Sequence, residues 1–353
     1  MKIKLQSAPQ GIALIIVMVV VVVFGILAAG FAYSMKVETK LARNSTMDTE
    51  MEWLGRSGIE LAKCFLSHPS AGGAQFDALN QKWAGGTGET NDALADLSLE
   101  NNQLGSGKFS VKIIDMDRKF NINVAGDEIL RQAMILIGTD AAETPRIVNA
   151  ILDWRDPDDD THVGATDTES DYYLTRRPPY RAKNGPIDDM EELLLINGIT
   201  PGMYWGSGSG SSVHRLPHGG FNRQEEPTYP VGFVDLFTTL SARFVNINTA
   251  SATTLQMIPD IDENMAHAII TTRAGLDGVE GNEDDTPFRS IGELGNVPGM
   301  NRGNAGLFAR YFSTRSSTFE IQVDAQIDQY KRTYVAVLRR NGRDLQTLYM
   351  YWK

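Results

Sequence analysis

Residues 11–33 read GIALIIVMVVVVVFGILAAGFAY, with no charged side chain at any position. As a helix, a run of this length spans the ~30 Å hydrocarbon core of a bilayer. Its many Val and Ile residues lower helix propensity in water. In lipid the backbone has only itself to bond to, so a helix is still expected. Before the run stands MKIKLQSAPQ, whose charged side chains are Lys2 and Lys4. A secretory signal is cut after its apolar stretch, at small residues. A short leader ending in Gly11, directly before the stretch, would instead leave the helix in the mature chain. Lys2 and Lys4 favour a cytoplasmic N-terminus. Lys36, Lys40 and Arg43 on the far side weaken that asymmetry, and Glu38 and Asp48 dilute them.

Beyond the run the helical spacing continues. Val37, Leu41, Met47, Met51, Leu54, Leu61 and Phe65 recur every three to four residues or so. One helix is therefore expected from about Ile12 to Ser67, stopped by His68-Pro69, with its outer half packed on a domain. Residues 68–106 are rich in Gly, Asn and Asp and read as a loop with short elements. Gly107–Asn123 alternates apolar and polar residues as a strand does. FEIQVDAQI and RTYVAVLRR then follow near the C-terminus, and Asn341-Gly342 turns the chain into LQTLYMYW. Strands at both ends of a helical middle give an α+β class. In it a long N-terminal helix packs on an antiparallel sheet, and a large, mostly α-helical domain is inserted between the strands. The expected division is leader 1–11, membrane helix 12–35, first part of the sheet domain 36–124, helical insert 125–312 and last strands 313–353.

The insert carries a diverged duplication. FNIN at 120–123 is echoed by VNIN at 245–248. A helical pattern follows each, then an acidic loop (156–171 and 276–285), then a closing phrase, PIDDMEELLLINGI (186–199) or PFRSIGELGNVPGM (287–300). Gly206–Gly220 has the composition of a flexible linker.

The formal charge of −11 argues against a general nucleic-acid binder, whose affinity rests on Lys and Arg neutralising phosphates. Cys64 is the one cysteine, so no intramolecular disulfide can staple the chain, and its place on the apolar stripe suits a buried, inert thiol. His68, His162, His214, His218 and His267 lack metal-ligand spacing. No nucleophile elbow, P-loop or dinucleotide fingerprint occurs, so no catalysis is expected.

Asp153, Asp156, Asp158, Asp159, Asp160, Asp167, Glu169 and Asp171 crowd one short segment. So many carboxylates need screening or a counter-ion, and hard oxygen ligands suit Ca²⁺. The loop is not an EF-hand, since it lacks the fixed Gly and terminal Glu. A solvated acidic loop is the alternative. Asp277, Glu280, Asp284 and Asp285 form a second candidate, with Gly278 and Gly281 available for tight turns. Residues 246–273 resemble a helix-hairpin-helix. Asp260 and Asp262 stand where its hairpin glycines are expected and would repel a phosphate, so a packing role is expected.

The Gly11 junction, the apolar helix, FNIN, LDWRDPD (152–158), Tyr172-Tyr173, NGPIDDMEELLLINGI (184–199) and FVNINTA (244–250) together resemble the protein K family of type II secretion systems, the large minor pseudopilins. The resemblance covers nearly the whole length. It implies a non-enzymatic subunit at the tip of a periplasmic pseudopilus, with a helical domain inserted into a pilin-like one. It also implies calcium in the insert and assembly with two other minor pseudopilins and the major pseudopilin at an inner-membrane platform. A prepilin peptidase would cut between Gly11 and Ile12, and Ile12 would be N-methylated. Ile12 departs from the usual Phe but keeps the position apolar. Ile16, fifth in the mature chain, stands where pilin-type subunits that fill a shaft carry a glutamate. A minor pilin of a type IV pilus system and a membrane-anchored DNA receptor are the alternative readings.

Overall fold

The computed structural model describes residues 11–67, 76–87, 94, 96–161, 168–207, 228–300, 302–342 and 344–353. The leader 1–10, most of the Gly/Ser-rich linker, Asp167, and His68, His162, His214 and His218 lie outside these residues.

Helix α1 runs unbroken from Gly11 to Ser67. It is the one helix among the described residues long and apolar enough to cross a membrane. From Ile12 to Leu41 its large apolar side chains are uncovered, Val37 and Leu41 included. The apolar stripe of its outer half therefore starts to pack only at Met47, later than the sequence spacing predicts. From there Met51, Leu54, Ala62 and Phe65 are buried. Cys64 is half-buried beside them.

β1 (Asn102–Leu104) and β2 (Gly107–Asp115) open the sheet. β2 stops at Asp115, short of the predicted Asn123, because Met116–Arg118 makes a 3₁₀ turn. The Asp115 side chain caps that turn by accepting from the Asp117 amide at 2.8 Å. The helical part follows. β3 is Phe120–Asn121, α2 is Asp127–Ile137, α3 is Thr144–Arg155, α4 is Ser170–Tyr173, α5 is Pro201–Trp205, α6 is Phe233–Leu236 and β4 is Phe237–Thr238. A second set comprises β5 (Val245–Asn246), α7 (Ala252–Leu255), α8 (Glu263–Arg273), α9 (Arg302–Phe308) and β6 (Phe312–Ser313). The chain then returns to the sheet as β7 (Thr318–Ile327), β8 (Tyr330–Asn341) and β9 (Asp344–Trp352).

The five strands lie in the order β1-β2-β7-β8-β9, antiparallel throughout. β2 and β7 pair along their length although about two hundred residues separate them, so the helical part is inserted between neighbouring strands. Alternate residues, including Val111, Ile113, Ile321, Val323, Tyr334 and Ala336, face α1 and form one core. The helix approaches closely through its smallest residues. A Cβ on Gly58 would stand 2.4 Å from Val323 Cγ1, and one on Gly55 would stand 2.6 Å from the Tyr334 ring.

A second core fills the helical part and runs through both sets of elements, from Ile122 and Trp154 to Ile269 and Phe312. The duplication is visible in its bonds. Each half opens and closes on a two-residue parallel pair, β3 with β4 and β5 with β6. Asn121 accepts from the Asn123 amide, as Asn246 does from Asn248. Asn123 exchanges two hydrogen bonds with the Ile187 backbone, and Asn248 does the same with Phe288. Arg155 donates to the carbonyls of Ile122 and Ala125; Arg273 donates to those of Ile247 and Ala250. Each half then has a 3₁₀ turn, Met190–Leu195 or Ile291–Asn296, held by Glu192 or Glu293 accepting from backbone amides. A glycine at positive φ follows each, Gly198 or Gly299.

Candidate functional site

The first acidic segment descends from the end of α3 to α4. Asp153 is fully buried on α3 beside Trp154. Asp158, Asp159 and Asp160 are exposed, as is Asp171 on α4. Asp158 accepts from the Asp160 amide at 3.0 Å. Asp159 accepts from Ser170 Oγ at 2.9 Å and Asn184 Nδ2 at 2.8 Å, which hold its carboxyl below the ordinary range. Glu169 is 6% exposed, and neither of its carboxylate oxygens has a hydrogen-bond partner among the described residues. Burial, with Asp153, Asp156, Asp159 and Asp158 nearby, raises its pKa to about 7. Thr168 Oγ1 and Asn184 Oδ1 are likewise buried without a partner. Sequence reading singled out neither. Asn184 sits at positive φ in the NGP phrase, which is the signal that points to it.

Orphaned, buried oxygens of this kind match the donor chemistry of a hard cation, since a buried charge needs a partner. Among the described residues no three His, Cys, Asp or Glu side chains converge on a metal position.

The second loop is built differently. Asp277 accepts from the Val279 amide and Asn282 Nδ2, at 2.7 and 2.8 Å. Asp284 accepts from the amides of Leu276 and Asp277, and Asp285 from that of Gly281. Asp285 keeps one buried oxygen without a partner, and burial raises its pKa. Glu280 is bonded to Arg273 at 2.5 Å. Gly275, Gly278 and Gly281 supply the positive φ angles that let the chain fold over these carboxylates. Most of this loop's negative charge is thus already engaged by its own backbone and by one arginine.

In the hairpin between α7 and α8, Asp260 takes the left-handed position with φ 69°. Asp262 caps α8, accepting from the Met265 amide at 2.8 Å. Carboxylates therefore stand where a phosphate would approach this hairpin. His267 lies exposed on α8, 3.9 Å from Glu263. Ile16 lies on the uncovered part of α1, about a turn and a half in from the described N-terminus.

Residues 93–205 match the family model of type II secretion system protein K, and residues 241–309 match that of the helix-hairpin-helix motif. The chain is 23% identical to type II secretion system protein K of Pseudomonas aeruginosa, over 96% of this chain and 91% of that protein. It is 23% identical to the protein of the same name from Aeromonas hydrophila, over 55% of this chain and 60% of that one. Its fold is similar to a chain in the crystal structure of the GspK-GspI-GspJ complex from the enterotoxigenic Escherichia coli type 2 secretion system. That match has a TM-score of 0.60 and 16% identity, and covers 88% of this chain and 99% of that one. A family model over residues 93–205, a relative aligned over nearly the whole length and the fold agree in making the chain similar to the type II secretion system protein K family.

Proposed function

We propose that the chain is a non-enzymatic minor pseudopilin that tops a pseudopilus. In this reading it is anchored by α1 in the inner membrane, its N-terminus cytoplasmic and its sheet and helical domains periplasmic. A prepilin peptidase cuts between Gly11 and Ile12, and Ile12 is N-methylated. The partners are two other minor pseudopilins, as in the complex of the similar structure, together with the major pseudopilin and the assembly platform. The division into leader, membrane helix, split sheet domain and helical insert belongs to the same proposal.

The observation that carries it is Ile16, an aliphatic side chain on a bare helix. A carboxylate at that depth is unfavourable by ~2.5–3.5 kcal/mol unless it is paired, and the N-terminal amine of a neighbouring subunit is the available partner. Ile16 cannot accept such an amine, whereas its own amine can still be received by a neighbour's glutamate. A subunit able to make half of the bond can sit at an end of the stack and not within it. The test is the position of labelled chain on assembled fibres. Wild type is expected at fibre ends, and Ile16→Glu is expected to appear along the shaft as well. Regular spacing of the wild type along the shaft refutes the reading.

A structural calcium ion in the first acidic segment belongs to the same proposal. Glu169, Asp153, Asp156, Asn184 and Thr168 supply oxygens of the right kind, with Asp158, Asp159, Asp160 and Asp171 nearby, while Asp167 lies outside the described residues; the carboxylates of Asp277, Asp284 and Asp285 instead tie their own loop. A ligand that binds only the folded state stabilises it by RT ln(1 + [L]/Kd), ~2.7 kcal/mol at a hundredfold excess over Kd. The full chain in detergent is expected to melt several degrees higher in millimolar calcium than in EDTA, and Glu169→Gln should remove most of the difference. Superimposable wild-type curves would count against the ion.

A further inference from the structure

The sheet and the helical part meet at a buried polar cluster with no part in the calcium or filament readings. Asp115 ends β2, and Asp117 lies on the turn that leaves the sheet. Ser316 and Ser317 lie where the chain returns before β7, and Asn246 and Thr249 open the second repeat. Asp77 arrives from the segment after α1, and Arg340 from β8. Every crossing between the two modules therefore converges here.

The bonds are dense. Asp115 Oδ2 accepts from Thr249 Oγ1 at 2.5 Å, Ser316 Oγ at 2.6 Å and Asn246 Nδ2 at 3.2 Å. Asp117 accepts from the Ala242 amide at 2.7 Å and from the Ser317 amide at 2.6 Å. Asp77 accepts from the Ser316 amide at 2.8 Å and Arg340 Nη1 at 2.7 Å, while its carbonyl accepts from Asn246 Nδ2 at 3.0 Å. Arg340 also lies over the Phe319 ring at 4.8 Å. All three carboxylates are buried, at 5% exposure or less.

We propose that this cluster is a proton-sensitive latch that sets how firmly the helical domain is held to the sheet. The groups that face Asp115 are Asp117 from its own turn, Asp77 with its bonded Arg340 from the α1 side and β8, and the neutral Asn246, Thr249 and Ser316 from the second repeat and the start of β7. Arg340 is spent on Asp77, so Asp115 and Asp117 rely on neutral donors. Burial, and then the charge of Asp117, raise Asp115 from the ordinary 3.8 to about 7. Burial raises Asp117 as well.

The sign follows from linkage. Below 3.8 both folded and unfolded Asp115 hold a proton, and the stabilisation is complete. Between that value and about 7 only the folded chain keeps the proton, so stability falls as pH rises, and it levels off above. The neutral form still fits its neighbours, because a hydroxyl on Oδ2 can donate to Ser316 or Thr249. Asparagine at 115 imitates this neutral form.

The test compares melting of the full chain in detergent, wild type against Asp115→Asn, from pH 5 to 8.5. Glu169 titrates in the same range in both chains, so the difference between the two curves isolates Asp115. The wild-type melting temperature is expected to fall by a few degrees per pH unit up to about 7. The variant's advantage over wild type should be smallest at pH 5 and largest at pH 8.5. A difference that does not change with pH overturns the proposal. A second measurement needs no variant: hydrogen-exchange protection of the Asp117, Ala242, Ser316 and Ser317 amides, which should fall as pH rises to about 7, and level off above it, relative to the amides between β7 and β8. A uniform change across both groups overturns it equally.

Discussion

Arg273→Ala is expected to lower the stability of the folded chain by ~2–5 kcal/mol, from stranding buried carbonyls and losing an ion pair whose Glu280 side is 29% exposed. The guanidinium is 4% exposed, and it bonds Glu280 on one side and the carbonyls of Ile247 and Ala250 on the other. Removing it strands three acceptors and opens a hole between α8 and the VNIN turn. Each stranded buried acceptor contributes ~1–3 kcal/mol of desolvation that nothing offsets. Arg155 makes the equivalent pair of carbonyl bonds in the first repeat, yet it is only half-buried. Arg155→Ala should therefore produce a clearly smaller loss. Denaturant midpoints of the two variants, measured on the full chain in detergent, check the ranking. A loss below ~1 kcal/mol for Arg273→Ala, or the reverse order, would show that the two arginines are not the pins of the repeats.

How much of this could be read from sequence depends on how local each signal is. Helix α1 was legible to its last residue, because an uncharged run followed by helical spacing and a His-Pro stop is a local pattern. The C-terminal hairpin was legible for the same reason, through Asn341-Gly342, whose glycine takes positive φ. The duplication was visible as FNIN and VNIN, but its physical basis was not. Each Asn clamps a backbone segment forty or more residues away, and each Arg reaches carbonyls about twenty-five to thirty residues back. The strand predicted for Gly107–Asn123 was too long, since alternation continues across a 3₁₀ turn that only the buried Asp115 and Asp117 explain.

In the acidic segments, sequence counts carboxylates and cannot say which are spent. Asp277 and Asp284 look as available as Glu169 on paper. Folding assigns the first two to their own loop's donors and leaves the third buried without one. Composition also drew attention away from Asn184 and Thr168, which are neutral. It likewise overlooked the junction, where Asp77, Asp115 and Asp117 lie far apart in the chain and share no motif.

The packing of α1 on the sheet was expected, but the residues that set its closeness were not, for a related reason. An apolar stripe is recognised by its large residues, and this interface depends on its smallest. Gly58→Leu should force α1 away from the sheet. Its Cβ would sit 2.4 and 2.8 Å from the two Cγ atoms of Val323, a residue with no exposure and so no free space to move into. Leucine gains ~0.8–1 kcal/mol over glycine in helix propensity. Overpacking costs ~1–3 kcal/mol when neighbours can give way, and more when the backbone must move. The clash therefore outweighs the propensity gain. Lifting the helix also withdraws Leu54, Ala62 and Phe65 from their contacts, at ~25 cal/mol for each Å² of apolar surface re-exposed. The helical part has its own core, so melting of the variant should split, with the α1–sheet module unfolding first and the repeats later. Val323→Ala removes the two atoms nearest the new Cβ. It is destabilising in the wild-type chain but should restore part of the loss in Gly58→Leu, giving a double-mutant coupling of ~0.5–3 kcal/mol. Strict additivity of the two changes would mean that α1 is held to the sheet by something other than close approach at Gly58.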